Sequence, residues 1–367
     1  VVASNTSGLR IADMLQSRGD AFRKNFLVMH FFNPVRYMKL LELVAGEETA
    51  PATMERMTVF GQDQLGKGIV IGKDTPNFVG NRIGCYSMSL TMNEMTAAGL
   101  TPEDVDAITG PPMGHPKSAS FRTADMVGLD TFKHVSDNCY EALVDDPQRD
   151  VFKPPHYLVA MVEQNILGNK TRGGFYKRTK EGIQTFDPVE LEYRAKAGDP
   201  EIKKFCKGLK GSPADRVKAL VENDGPAGKF AWTVLSRTLA YSATMIGEIA
   251  DEVEAVDDAM KWGYNWDLGP FETWDAIGFK AAYDRMKAEG LSLPASIDEM
   301  AASGAESFYT DDGRVFNLIK GEYEARDIDP RNASLTVMRQ GDAPVFENRG
   351  SQAWDLGDGI LGLTFTT

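Results

Sequence analysis

The sequence predicts an α/β segment followed by a mainly helical region built from a repeated unit, and three patterns carry that expectation. Short apolar runs punctuated by Gly and Pro fill residues 1–72 and read as strands. From Pro76 the apolar spacing becomes that of helices buried on most sides. Farther on, Phe121-x-x-x-Asp125-x-x-Gly128 returns as Phe271-x-x-x-Asp275-x-x-Gly278 at an offset of 150 residues, and Val105-Asp106 returns as Val256-Asp257 within one residue of that offset.

In chain order, Val1-Val2-Ala3 reads as a short strand and Gly8 to about Leu15 as a helix. Asn25–His30 and Met38–Val44 read as buried strands linked by a turn at Asn33-Pro34, a pair placed at a sheet edge or switch point. Ala52–Leu65 has the spacing of an amphipathic helix, and Ile69–Ile71 is a strand between Gly68 and Gly72. A first helical domain then spans 73–178. Asn81–Ala98 is its buried helix, and Thr101-Pro102-Glu103-Asp104 opens the next with an N-cap and a proline at the first position. Gly173-Gly174-Phe175-Tyr176 closes the unit, and Lys177–Asp199 reads as a polar connector, with 179–199 as the linker. The repeat fills about 200–331. In 332–367, Ser334–Arg339 and Gln352–Phe365 alternate like strands around a turn at Asp355–Gly359, the opening of a different domain.

Composition limits the functions open to this chain. At 367 residues, 42% hydrophobic and 25% charged, it is an ordinary globular sequence with room for two or three domains. A net charge of -13 argues against a nucleic-acid surface, which needs a basic field. No apolar run approaches the ~18–20 residues that span a bilayer. The stretch Val1–Arg10 has no charged region ahead of an apolar run and does not read as a signal peptide. Cys85, Cys139 and Cys206 are odd in number and far apart, which gives no disulfide or zinc pattern and suits a reducing compartment such as the cytoplasm. The chain starts on apolar residues without an initiator Met and stops on strand-like Gly359–Phe365, so it reads as an internal piece of a longer polypeptide.

The strongest chemical signal is His30-Phe31-Phe32-Asn33-Pro34 with Glu42 on the following strand. An imidazole at a strand end can accept a proton, and a carboxylate on the adjoining strand can orient it and stabilise its charged form. A structural histidine with an ordinary ion pair is the alternative. Ser4-Asn5-Thr6-Ser7 offers hydroxyl and amide groups after a strand, where ligands dock in open α/β sheets, or simply caps a helix. Asn81, in the first turn of its helix, can hold a substrate oxygen or cap that helix. Lys170-Thr171-Arg172-Gly173-Gly174 is a basic glycine-rich loop. His115, His134 and His156 have no partners at metal-ligand spacing, so no metal is expected, and Cys85 reads as core. Gly61–Lys67 resembles part of a phosphate-binding loop and Gly357-x-Gly359-x-x-Gly362 a dinucleotide loop, but neither has the strand–loop–helix setting that gives such glycines their use.

Taken in order, Ser4-Asn5-Thr6-Ser7, His30–Pro34 with Met38-Lys39-Leu40 and Glu42, Lys73-Asp74-Thr75-Pro76 with Asn81-Arg82, and Lys170-Thr171 with Gly174-Phe175-Tyr176 resemble the 3-hydroxyacyl-CoA dehydrogenase family. The resemblance is close over residues 1–178. It implies the C-terminal remnant of a Rossmann-type NAD-binding domain, then two tandem copies of the helical dehydrogenase C-terminal domain. The closing segment Glu347–Phe365 looks like the start of a crotonase-like domain, so enoyl-CoA hydratase activity is expected in the parent polypeptide, as part of fatty-acid β-oxidation. The implied reaction is oxidation of (3S)-hydroxyacyl-CoA with NAD as cofactor. His30 would be the general base and Glu42 its orienting partner. Ser7 and Asn81 would bind the substrate oxygen, with Asn5 and Lys170 along the nicotinamide half of the cofactor. Gly8 departs from the family, where another small polar residue is common. The implied partners are an acyl-CoA and either a second copy of the chain or a thiolase. Two other readings stay open: a dehydrogenase for a different hydroxy acid, and a non-catalytic scaffold.

Overall fold

A computed structural model describes residues 1–326 and 343–365. The expected strand at 334–339 lies outside these residues.

Four strands form the first sheet in the order β1 (Val2–Ser4), β2 (Phe26–Phe31), β3 (Leu40–Ala45), β4 (Gly68–Gly72). The outer pairs β1–β2 and β3–β4 are parallel, whereas β2 and β3 run antiparallel. The direction of the sheet therefore switches between the two strands that the sequence marks as a turn-linked pair. Side chains alternate between the faces. On one face Phe26, Val28 and Val44 pack with Ile11 of helix α1 (Ile11–Met14) and with Phe78. On the other, Leu27, Met29, Leu41 and Leu43 pack against Met54 and Met57 of α3 (Pro51–Val59), which follows the short α2 (Asp20–Arg23). With both faces covered, β2 and β3 carry apolar residues almost without interruption.

The expected helix at 8–15 is only one turn long. The one at 52–65 ends as a π-helical turn, Phe60–Gln64, where a Cβ on Gly61 would meet Leu41 and Ile69. Lys67, part of the phosphate-loop lookalike, donates from Nζ to the carbonyls of Val35 (2.5 Å) and Met38 (2.7 Å) and so holds the turn between β2 and β3.

Helices α4 (Gly80–Ala97), α5 (Pro102–Ile108), α6 (Phe121–Val127), α7 (Leu129–Ala142) and α8 (His156–Glu163) form the first helical unit. The capping box of α5 is made as expected, with Thr101 and Asp104 exchanging bonds. The polar segment after Gly174 is not a loose connector. It folds as an antiparallel sheet of β5 (Tyr176–Thr179), β6 (Gly182–Phe186) and β7 (Tyr193–Ala195), with Phe186 fully buried and Tyr193 donating to the Gly174 carbonyl. Polar composition concealed it because one face of this small sheet meets water.

Helices α9 (Pro200–Gly208), α10 (Pro213–Val221), α11 (Pro226–Thr244), α12 (Val253–Tyr264), α13 (Pro270–Ile277), α14 (Phe279–Ala288) and α15 (Ala295–Ala302) follow, then a hairpin of β8 (Arg314–Asn317) and β9 (Glu322–Ala325). One hydrogen-bond pattern occurs in both helical units. Asp106 accepts from Phe121 N and Tyr176 OH, while Asp125 accepts from Phe175 N and Tyr176 N. Likewise Asp257 accepts from Phe271 N and Tyr309 OH, while Asp275 accepts from Phe308 N and Tyr309 N. The units share one core, and Arg82 of α4, fully buried, binds Tyr241 of α11 (2.6 Å), Asp146 (3.0 Å) and Glu248 (3.0 Å). Residues 343–365 form a separate antiparallel sheet of β10 (Phe346–Asn348), β11 (Ser351–Asp355) and β12 (Leu361–Phe365), and the glycine pattern at 357–362 includes its last turn.

Burial pushes Asp106 and Asp275 up to about 7 and Asp125 to about 6. The carboxyl of Asp275 has an ordinary value of 3.8, so the folded protein retains a proton there that the unfolded chain has released. Its contribution to stability therefore declines as pH rises between these two values. The stability of the wild type relative to Asp275→Asn, a permanently neutral variant, is expected to decrease from about pH 4 to about pH 7. Urea unfolding of both proteins across that range is the check, and a constant difference would contradict it.

Candidate active site

His30 and Glu42 are direct cross-strand partners in the β2–β3 register, so both side chains leave the sheet on the same face. His30 Nδ1 lies 2.5 Å from Glu42 Oε2. Glu42 has no exposed surface, and its other oxygen accepts from the backbone N–H groups of Val79 (3.1 Å) and Gly80 (2.7 Å). These amides are among the donors left unpaired at the start of α4, where the helix dipole favours negative charge. Glu42 occupies the Nδ1 side of the ring as an acceptor. The imidazole proton therefore sits on Nδ1 and leaves Nε2 as the basic atom.

The approach of α4 is close. A Cβ on Gly80 would come within 2.9 Å of the Phe32 ring, which is why glycine stands beside the carboxylate. The two residues before Val79 are left-handed, Asn77 at φ 64° and Phe78 at φ 49°. Such backbone costs about 1–3 kcal/mol per residue and persists only where its surroundings hold it. Phe78 is fully buried with its ring 5.8 Å from His30, and Asn77 Nδ2 donates to Cys139 Sγ at 2.7 Å.

The loop after β1 reaches the same place. Asp74 accepts from Ile11 N (2.7 Å) and Ala12 N (3.2 Å), tying the start of α1 to the segment that leads into α4. Asn5 Oδ1 accepts from Phe31 N at 2.9 Å, so its amide sits beside the residue that follows His30. A Cβ on Gly8 would lie 3.0 Å from Asn77 Oδ1. Ser7 is exposed and its hydroxyl has no partner among the described residues. Asn81, half-buried, stands on the first turn of α4 next to Gly80, and its Oδ1 accepts from Tyr264 OH at 3.0 Å.

The structure thus brings His30, Glu42 and Asn81 to the start of α4, with Asn5 bonded to the backbone next to His30 and Ser7 on the same loop as Asn5. Lys170 lies on the turn Asn169–Thr171, its ammonium ion-paired with Asp130 at the start of α7. Sequence reasoning missed the Val79 and Gly80 amides, although the pair Gly80-Asn81 at a helix start marks a point of close approach. It also missed Asp74, inside a motif already noted, and Tyr264, which lies 183 residues from Asn81 and carries no local signal. Among the described residues no cluster of potential metal ligands occurs, and no helix is long and apolar enough to cross a membrane.

A Rossmann-like sheet edge bearing a buried His–Glu pair, with a helical unit closing over it, defines a dinucleotide-dependent dehydrogenase class. Residues 1–75 match the family described as "3-hydroxyacyl-CoA dehydrogenase, NAD binding domain", and residues 78–178 match "3-hydroxyacyl-CoA dehydrogenase, C-terminal domain". The chain belongs to the 3-hydroxyacyl-CoA dehydrogenase family, whose cofactor is NAD. It is 44% identical over its whole length to a "Probable 3-hydroxyacyl-CoA dehydrogenase" of Bacillus subtilis, of which it covers 46%. It is 31% identical over 74% of its length to a "Putative fatty acid oxidation complex trifunctional enzyme" of Rickettsia felis, covering 37% of that protein. The chain therefore spans less than half of each. The crystal structure of 3-hydroxybutyryl-CoA dehydrogenase from Escherichia coli K12 aligns over 83% of this chain and 76% of that one, with a TM-score of 0.61; at 18% identity the likeness is one of fold.

Removing the carboxylate from this site leaves two buried amides and the imidazole without their acceptor. Glu42→Ala is expected to lower the unfolding free energy by about 3 kcal/mol. Denaturant titration measures it, and a loss below about 1 kcal/mol would show that Glu42 does not organise the site.

Proposed function

We propose that this chain carries the reacting groups of an enzyme that oxidises (3S)-hydroxyacyl-CoA to 3-oxoacyl-CoA with NAD+. The observation that carries the reading is the buried His30–Glu42 pair, oriented so that Nε2 is the free base, beside the loop that follows a parallel strand. Membership of the family supplies the substrate class.

His30 Nε2 takes the proton of the 3-hydroxyl. Glu42 holds the ring by Nδ1 and stabilises the imidazolium that results, while the Val79 and Gly80 amides keep the carboxylate in place. Asn81 and Ser7 supply hydrogen bonds to the substrate oxygen. A base positioned in this way contributes ~10²–10⁴-fold to the rate. NAD+, when bound, accepts the hydride from C3.

The residues present fit the nicotinamide end of that cofactor. Asn5 is fixed through Oδ1 by Phe31 N and keeps both amide hydrogens for a ligand at the carboxyl ends of β1 and β2. Lys170, which the family resemblance puts along the same half of the cofactor, is held by Asp130 in an exposed ion pair, weak enough to exchange for a ligand. The sequence holds no glycine loop joining a strand to a helix that would cradle the pyrophosphate.

The broader assignment is a multifunctional β-oxidation enzyme of which this is an internal piece. The matching Asp106–Asp125 and Asp257–Asp275 networks support two tandem copies of the helical domain. The antiparallel sheet at 346–365, lying beyond both copies, is consistent with the opening of a crotonase-like hydratase domain.

In the complete polypeptide, His30→Ala is expected to reduce NAD+-dependent oxidation of a 3-hydroxyacyl-CoA by at least ~100-fold, followed by NADH formation; unchanged turnover would sink the assignment. The 367-residue chain alone is expected to bind NAD+ far more weakly than the complete polypeptide. Calorimetric titration of both compares them, and equal affinity would show that a glycine loop for the pyrophosphate is not required.

A further inference from the structure

The second helical unit reaches the reacting groups through the C-terminal end of α12. Trp262 packs against Gly68 at the start of β4, with the Lys39 ammonium 4.3 Å from the centre of its ring. Gly263 lies against Leu40 and Phe32. Tyr264 meets the Phe32 ring edge-on at 5.9 Å and donates its hydroxyl to Asn81 Oδ1 at 3.0 Å. The helix then stops at Asn265, in the left-handed region at φ 54°, whose amide reaches back to Met38 Sδ at 3.6 Å. Asp267 N continues the anchorage by donating to the Gly114 carbonyl at 2.7 Å.

Room has been made for this tyrosine on α4. A Cβ on Gly84, one turn beyond Asn81, would come within 2.2 Å of the Tyr264 ring, so only glycine allows the two helices to meet here. The phenol is buried close to Cys85, Glu42 and Cys139, and burial first, then these neighbours, push it well above its ordinary range. It stays protonated at any working pH and acts as a donor.

A side-chain amide can present either its oxygen or its nitrogen to a ligand, because the two ends are nearly alike in shape. A donor fixed on Oδ1 removes that freedom and leaves Nδ2, with two hydrogens, as the end available to a substrate oxygen. We infer that Tyr264 is a positioning residue for substrate binding, fixing the orientation of Asn81 so that its amide nitrogen faces the 3-oxygen of the acyl chain. The second helical copy then completes the site formed by the first copy and the sheet. This inference rests on the proposed dehydrogenase reading.

Tyr264→Phe keeps the ring and its contacts with Phe32 and Gly84 and removes only the hydroxyl. In the complete polypeptide this variant is expected to lower kcat/KM for a 3-hydroxyacyl-CoA by ~3–10-fold, the scale of one hydrogen bond, with NAD+ affinity and thermal stability unchanged. Comparison with Asn81→Ala and with the double variant isolates the route of the effect. Once Asn81 is gone, Tyr264→Phe is expected to cost nothing further. An unaltered kcat/KM in Tyr264→Phe, or a full loss that persists in the Asn81→Ala background, would overturn the inference. Failure of Asn81→Ala and His30→Ala to reduce activity would instead overturn the dehydrogenase reading on which it rests.

Discussion

Glu42 is a carboxylate with no access to water, and its two oxygens accept three hydrogen bonds, two from the start of α4 and one from His30. A buried charge without such partners would cost several kcal/mol, so sheet and helix must meet at this point for either to be stable around it. The constraint propagates outward. It requires glycine at position 80, it coincides with two left-handed residues before the helix, and it sets the tautomer of the imidazole. One interaction thereby joins the α/β segment to the helical one.

The position of α4 depends in turn on the second helical unit. Arg82 places a fully buried guanidinium between Asp146, Tyr241 and Glu248, and Tyr86 stacks on Tyr241 at 3.8 Å. Both units therefore share the burden of holding the helix end on which Glu42 depends. The repeated aspartate networks give each unit the same internal brace, and Tyr264 bonds the second one to Asn81 of the first.

Much of this was legible in the sequence because it rests on local pattern. Strands β2 and β3 show as apolar runs, and α5 announces itself through Thr101, Pro102 and Asp104. The repeat was visible because the buried Phe–Asp–Gly spacing must be kept wherever that brace is built. The sheet at 176–195 was not legible, since its strands are short and polar on one side, and so it passed for a connector. Lys170 shows a related limit: a basic residue beside glycines looks alike in sequence whatever it meets, and its pairing with Asp130 is visible only in the fold.

By itself the sequence determined which two ionisable residues would share a face of the sheet. A histidine and a glutamate at the facing ends of two buried strands share a face by the two-residue period of the strand alone, once the strands pair as a hairpin. Only the tertiary structure decided how those residues are oriented. The acceptors and donors that set the imidazole tautomer and the direction of the Asn81 amide come from the α4 helix end and from Tyr264. Hydrogen bonds between segments so far apart in the chain leave no periodic trace, because nothing but the packing of whole elements brings their atoms within 3 Å.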